Sequence, residues 1–451
     1  MRRIPTHRAK DNLAGTLGRT LAIVCLAGAL LSAGCATTPK APPPLTTEQR
    51  QLNLDSFDYV WKTVRERYWD PDLGGLDWPA VRDELRPRVE QATTMPEARG
   101  IMNDMVSRLG VSHFAIIPAA LYEDIEQPAG AGARDADAGI DVRVIDGRAL
   151  VTAIVEGSPA DEAGVQLGWE IVRIGEEEIP PKLQAVAEEF EDKMYMELIL
   201  ARVVAGRLDG RVGDTVAVRF LDADEGAVDL ELTLAEKRGR RAQFGHLPPT
   251  YTWIEADLIE GNIGYIAFNH FLDPIHLMPV YNEAMKSFMD ADGIVIDIRG
   301  NGGGLGGMAM GMAGWLVPDK NRYLGTVYLR DNELKLIVNP RLMTYTGPVA
   351  VLVDGLSGSA AEFFSGGLKD LGRAHIVGSR TVGAALPSII EKLPNGDGFQ
   401  YVFANYISEG GEALEGAGVS PDIKVAPTRP ALLAGRDLVL EAAINWIRTQ
   451  N

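Results

Sequence analysis

Between Pro348 and Pro387 the chain reads strand, turn, helix, strand, and that order belongs to α/β organisation. Val349 to Val353 is a short apolar run with the pattern of a buried strand. A glycine–serine turn follows, then a helical segment from about Ala360 to Leu371, then a second short strand at His375 to Val377. Ser359 falls where strand becomes helix. There the unpaired N–H groups of the first turn and the helix dipole favour negative charge. A serine nucleophile needs that, because an oxyanion forms beside it. The same residues, Ser359-Ala360-Ala361-Glu362, also spell a capping box, so this stretch alone leaves both readings open.

A chain of 451 residues, 46% apolar and 24% charged, fits two or three globular domains. Its 44 basic and 62 acidic residues give a net charge of −18, which argues against a nucleic-acid partner. The first residues have another character. A basic leader (Arg2, Arg3, Arg8, Lys10, Arg19) precedes the apolar run Leu21 to Leu31, too short to span a bilayer, and then Ser32-Ala33-Gly34-Cys35. This resembles a bacterial lipoprotein signal over residues 1–34, with Cys35 as the lipidated first mature residue and Ser32 where Leu is usual. A plain cleaved signal or an uncleaved anchor is the alternative. Cys25 lies inside the leader, so the mature chain is expected to hold no disulfide. The expected location is the cell envelope, on the periplasmic face, lipid-anchored to a membrane.

After a Pro-rich tether at 35–45, residues 46–117 read as a helical domain. Phe57, Val60, Trp61, Val64 and Tyr68 share one helical face; Val81, Leu85 and Val89 share another, on a helix starting near Asp77. A third helix starts at the capping box Thr94-Met95-Pro96-Glu97 and stops at Gly110. Ser112-His113 follow directly. Residues 118–137 read as a linker. Over 138–237 the order strand, strand, short helix, strand, with Ser158-Pro159-Ala160 and Ala163-Gly164, resembles a bacterial PDZ domain. Such a domain captures a peptide by strand addition beside a loop for a terminal carboxylate. Here that loop would lie among Asp135, Asp137 and Asp141, a poor anion trap, which favours a hinge or gate. Lys182 to Ala205 exceeds what the domain needs; its Met194, Met196, Leu198, Ile199, Val203 and Val204 read as core. The basic run Lys237 to Arg241 reads as a solvated linker, residues 256–430 as a catalytic domain, and 431–451 as a closing amphipathic helix.

Gly302-x-Gly304-x-x-Gly307 formally satisfies a dinucleotide fingerprint, but the glycines stand several residues past the strand and no Lys-Ser/Thr follows. No cofactor and no metal are expected. Consecutive glycines can instead aim backbone N–H groups at a reacting carbonyl oxygen.

Gly264-Tyr265-Ile266, DIRGNGGG at 297–304, SGSAAE at 357–362, LKDLGRAHIVGSRTVG at 368–383 and EGAGVSPD at 415–422 occur in that order. Together they resemble the C-terminal processing (tail-specific) peptidase and tricorn-core family of serine proteases. The resemblance implies an α+β multidomain chain: helical domain, PDZ-like β domain and a ClpP/crotonase-like α/β catalytic domain. It implies hydrolysis of peptide bonds in peptides or unfolded proteins, and it allows a homo-oligomer. The tail-specific branch pairs its serine with a lysine where this chain has Ala384. The tricorn-like branch uses a Ser-His pair and a distant glutamate, which Ser112-His113 and Glu415 match. On that pattern Ser359 is the nucleophile, His113 the general base, and Ser112 and Glu415 orient the imidazole. Gly303, Gly304 and the Ala360 amide form the oxyanion hole. Ser357, Glu409 and Glu412 are the nearest rivals. Without a working base the same fold would be an inactive peptide-binding scaffold.

Overall fold

The computed structural model describes residues 3–4, 43–119, 135–190 and 195–450. Cys35, most of the tether and Met194 lie outside these residues, as does most of the 118–137 linker.

The second half is built on a sheet ordered Ile254–Ile259, Ile263–Phe268, Gly293–Asp297, Val349–Val353, His375–Gly378, Ile423–Lys424. The first pair is antiparallel and the rest are parallel. Alternate side chains enter two cores, as a parallel sheet covered on both faces requires. Ile294, Ile296, Val349, Val351 and Val353 pack with the helices Pro274–Ser287, Gly306–Ala313 and Ala360–Asp370. Val295, Ala350 and Leu352 face Val439, Ala443 and Ile447 of the closing helix Leu438–Arg448. The loops that leave the carboxyl ends of the strands Gly293–Asp297 and Val349–Val353 are sewn together. Ser357 Oγ donates to the Ile298 carbonyl (2.8 Å), and Gly358 N–H to the Asn301 carbonyl (3.0 Å). Ligand sites in such sheets form at this edge.

The three N-terminal helices, Thr47–Arg67, Trp78–Gln91 and Met95–Ser107, start at the side-chain caps Thr46, Asp77 and Thr94. They do not close a core of their own. Phe57, Leu85 and Met102 share one cluster with Leu386, Leu393, Phe399 and Tyr401, and the strand Ala115–Ile117 pairs antiparallel with Gly398–Val402. Arg99 grips buried Asp397 through Nε (2.8 Å) and Nη2 (2.9 Å). The segment preceding His113 is thereby held against the catalytic domain.

Residues 136–236 form a β-rich unit whose strands run Arg148–Val155, Glu170–Ile174, Thr215–Leu221, Ala227–Thr233, with Ile140–Ile145 against the first. The extra length is two helices, Ile179–Glu189 and Met196–Ala205. Ile199, Leu200 and Val204 of the second fill the unit's own core, while Leu198 leaves it for Val382 and Ala384. The basic run is no solvated linker. Lys237 pairs with Asp209 (2.9 Å), and Arg238 pairs with Glu255 and lies 3.8 Å over the Trp253 ring.

Candidate active site

Ser359 takes φ 53° and ψ −119° at the mouth of the Ala360–Asp370 helix. A positive φ on a non-glycine residue costs roughly 1–3 kcal/mol and persists only when its surroundings hold it. Here the Ser359 N–H donates to the Ala384 carbonyl (2.9 Å) and to Glu362 Oε2 (3.0 Å), the latter as part of a capping box with Glu362. Glu362 is fully buried and also receives Thr381 Oγ1 (2.6 Å), Gly383 N–H (2.8 Å) and Ala384 N–H (3.0 Å). Burial pushes its carboxyl up to about 7, against four donors that favour the charged form. The capping glutamate therefore does more than end a helix. It ties the serine to the 381–384 segment.

Gly303 and Gly304 have φ of 92° and 139°. A Cβ at Gly303 would stand 2.7 Å from Ser359 Cβ and 2.9 Å from the Ala360 nitrogen; one at Gly304 would meet the Phe271 carbonyl. Only glycine lets this loop lie against the serine. Asn301, fully buried, sets the loop: Nδ2 donates to the Phe268 carbonyl (3.0 Å), and Oδ1 accepts the Gly303 N–H (2.9 Å). That bond corrects one expectation, because it occupies a donor assigned to the oxyanion hole. The N–H groups of Gly304 and Ala360 make no hydrogen bond among the described residues and remain open to a ligand oxygen. Asp354 braces both loops, accepting Gly300 N–H (2.8 Å) and Leu356 N–H (3.1 Å) on Oδ1. Its Oδ2 accepts Arg143 Nε from the β-rich unit (2.9 Å).

His113, also at positive φ (62°), is buried just before the strand Ala115–Ile117. Ser112 Oγ lies 2.6 Å from His113 Nδ1 and donates to Glu415 Oε2 (2.9 Å). The Ser112 N–H reaches Glu415 Oε1 (2.7 Å), and the Ala385 N–H reaches Oε2 (2.9 Å). One hydroxyl carries one proton and an ionised carboxylate can only accept. The Ser112 proton therefore points at Glu415, and His113 must donate Nδ1–H to Ser112 Oγ. That fixes the tautomer and leaves a lone pair on Nε2. Burial holds His113 down at about 4 and pushes Glu415 up from the usual carboxylate range, opposed by its Ser112 and Ala385 bonds. No direct hydrogen bond joins His113 to Ser359. They are related through one peptide group, Ala384–Ala385, whose carbonyl accepts from Ser359 and whose N–H donates to Glu415.

The rivals fall elsewhere. Ser357 Oγ is spent on the Ile298 carbonyl, and Glu412 N–H caps onto Ser408 Oγ (3.2 Å). His276 binds Asp273 (2.6 Å), His375 stacks on Trp446 at 4.5 Å, and His246 is exposed. Ala384, where the tail-specific pattern has lysine, is buried under Val382 and Leu198. Asn301, Asp354, Thr381 and Arg143 escaped the sequence reading. Only Asn301 carried a signal, an amide side chain set among glycines at the end of a strand.

Residues 262–425 match the model of Peptidase family S41, and residues 53–107 that of the tricorn protease C1 domain. Over that stretch the chain is similar to an S41 peptidase domain. It is a serine-type peptidase, and the Ser359 turn and the glycine loop both lie inside the matched stretch. Among relatives, the carboxyl-terminal-processing peptidase 3 of Arabidopsis thaliana is 26% identical over 396 residues, covering 84% of this chain and 69% of that one. Tricorn protease homolog 1 of Streptomyces coelicolor is 26% identical over 429 residues, covering 88% and 35%. The photosystem II D1 C-terminal processing protease shares the fold at TM-score 0.55 and 21% identity, over 85% and 94% of the two chains. Mature CPAF does so at 0.61 and 14%, over 88% and 97%. The S41 match does not reach His113.

Proposed function

We propose that the protein is an exported serine endopeptidase working through a Ser359–His113–Ser112–Glu415 tetrad. Ser359 Oγ attacks the scissile carbonyl carbon and its proton passes to His113 Nε2. The carbonyl oxygen, now negative, takes the N–H groups of Gly304 and Ala360, each such donor being worth roughly 2.7–4 kcal/mol. Collapse expels the amine, which leaves with the proton from Nε2. Water then repeats the sequence on the acyl-enzyme. Glu415 acts through Ser112: it keeps the imidazole in the Nδ1–H tautomer and stabilises the imidazolium.

One observation carries this reading: the adjacent Ser112 and His113 and the distant Glu415, some 300 residues on, form one hydrogen-bonded set tied to the Ser359 backbone. The reading includes a lipid on Cys35 holding the chain at the periplasmic face of the cell envelope. It also treats the β-rich unit as PDZ-like, a gate for peptide or unfolded protein substrates, since Arg143 reaches the Asp354 brace.

A dead scaffold of the same fold is the second reading, favoured by Ala384 in place of a lysine. Incubating the mature chain with a peptide library separates the two. The tetrad predicts products that Ser359→Ala abolishes; no products, or products that survive Ser359→Ala, would favour the scaffold.

A further inference from the structure

The closing helix Leu438–Arg448 lies along the strand Gly293–Asp297 and meets the chain at both ends of it. Where the strand begins, a Cβ on Gly293 would run into Ile447, so the last turn of the helix sits directly on the backbone there. Just past the other end, Arg299 reaches Asp437, the residue that opens the helix. Eleven helical residues and five extended ones each span about 16 Å, so the two elements match in length.

Arg299 is held on two sides. Its Nε and Nη2 donate to Asp297 Oδ1 (3.0 Å) and Oδ2 (2.6 Å), and its Nη1 and Nη2 donate to Asp437 Oδ1 (2.9 Å) and Oδ2 (2.8 Å). The Tyr265 hydroxyl adds a bond to Asp297 Oδ2 (2.7 Å). Burial opposes the charge on this guanidinium, but Asp297 and Asp437 outweigh it and hold the group protonated. Paired fork bonds of this kind fix direction as well as distance. Asp437 also accepts the Leu440 N–H (3.1 Å), so one carboxylate both caps the helix and grips Arg299.

Arg299 is the last residue before the glycine loop. The Gly300 N–H goes to Asp354 Oδ1 (2.8 Å) and the Gly303 N–H to Asn301 Oδ1 (2.9 Å); the next residue is Gly304, with its open N–H. Gly300 and Gly303 take φ of 74° and 92°, and glycines bring little stiffness of their own. The loop therefore takes its starting direction from Arg299, and Arg299 takes its own from the helix. We propose that Asp437 is a positioning residue for the oxyanion loop: through Arg299 it fixes the angle at which the chain leaves the strand Gly293–Asp297, and with it the place of the Gly304 N–H. The claim rests on the peptidase reading. It makes the closing helix part of the catalytic alignment.

The test is Asp437→Ser. Serine caps a helix about as well as aspartate but is too short to grip Arg299, so the helix keeps its start while the loop loses its anchor. The control is Ile447→Ala, which loosens the same helix at its other end and leaves the Arg299 grip intact. Two quantities are measured at a temperature where circular dichroism shows the variants folded: kcat and KM on a cleaved peptide, and inhibition by the matching peptide aldehyde. Ser359 Oγ adds to the aldehyde carbon, its proton passes to His113 Nε2, and the resulting oxyanion takes the Gly304 and Ala360 N–H groups. Asp437→Ser should lower kcat at least about tenfold with KM changed less than about twofold, and should weaken the aldehyde by a similar factor. Asp437→Asn, which keeps the cap and one acceptor oxygen, should fall between, and it carries the test if the serine variant does not fold. Ile447→Ala should leave both quantities unchanged. An unchanged kcat in Asp437→Ser, or equal losses in Asp437→Ser and Ile447→Ala, would overturn the positioning role, while native cleavage that Ser359→Ala abolishes would keep the peptidase intact. A native chain that neither cleaves the peptide nor binds the aldehyde would overturn both.

Discussion

Ser359 and Glu415 flank a single peptide group: the Ala384 carbonyl accepts the Ser359 N–H at 2.9 Å, and the Ala385 N–H reaches Glu415 Oε2 at 2.9 Å. Nucleophile and imidazole are thus referenced to the same rigid plane, although one comes from the start of the chain's fold and the other from its end. Removing the negative end of this relay should cost turnover before binding. Glu415→Gln exchanges an acceptor-only group for one whose NH₂ faces donors. We expect kcat to fall by about 10²–10⁴-fold, the range of a disabled general base, with KM changed little. Steady-state kinetics on a cleaved peptide reads the split.

Gly303→Ala tests the loop. The new methyl would meet Ser359 Cβ at 2.7 Å, on a backbone already at φ 92°. Labelling of Ser359 by a fluorophosphonate should disappear, while the far-ultraviolet circular dichroism, governed by the sheet and helices, stays native.

Those elements were legible in the sequence and the second-sphere contacts were not. Val349–Val353 and Ala360–Asp370 lie where the strand–turn–helix reading put them, and Asp77 and Thr94 cap the helices read as starting there. Ser112-His113 and Glu415 were visible through resemblance, but their contact depends on chain reversal over about three hundred residues, which no local pattern encodes. Glu362 could be read only as a cap, because its bonds to Thr381, Gly383 and Ala384 come from a segment twenty residues on. The merger of the N-terminal helices with Phe399 and Tyr401 was hidden for the same reason: each helix shows an apolar face, and an apolar face does not name its partner.

Ala384→Lys would restore the residue of the tail-specific pattern, and it should not restore function. The position is buried against Leu198 and Val382, and the nearby Glu362, which accepts the Ala384 N–H (3.0 Å), is already engaged by Ser359, Thr381 and Gly383. We expect destabilisation of several kcal/mol, the cost of burying an unpaired ammonium or forcing the Met196–Ala205 helix away. Chemical denaturation measures this, and His113→Ala activity should gain nothing from the added lysine.

The depressed His113 value fixes the pH behaviour. A base held at about 4 is neutral through the physiological range, so the acid limb of kcat/KM should lie near pH 4 rather than 6.5. For stability the sign follows from proton uptake. Between 6.5 and 4 the unfolded chain binds a proton that the folded chain refuses, so stability falls as pH falls through that window, by about 3 kcal/mol per such histidine. His270, at about 4, contributes a similar slope. His113→Gln should therefore remove about half of their combined loss between pH 6.5 and 4, read as denaturation midpoints.

The central claim is that an imidazole from residue 113 takes the proton of the residue 359 hydroxyl. Its most direct test is the rate of fluorophosphonate labelling at Ser359, followed from pH 3 to 8 in the native chain and in His113→Ala. The tetrad predicts native labelling that rises with one ionisation near pH 4, and a His113→Ala rate at least about a hundredfold lower across the plateau. Equal plateau rates in the two proteins would contradict it.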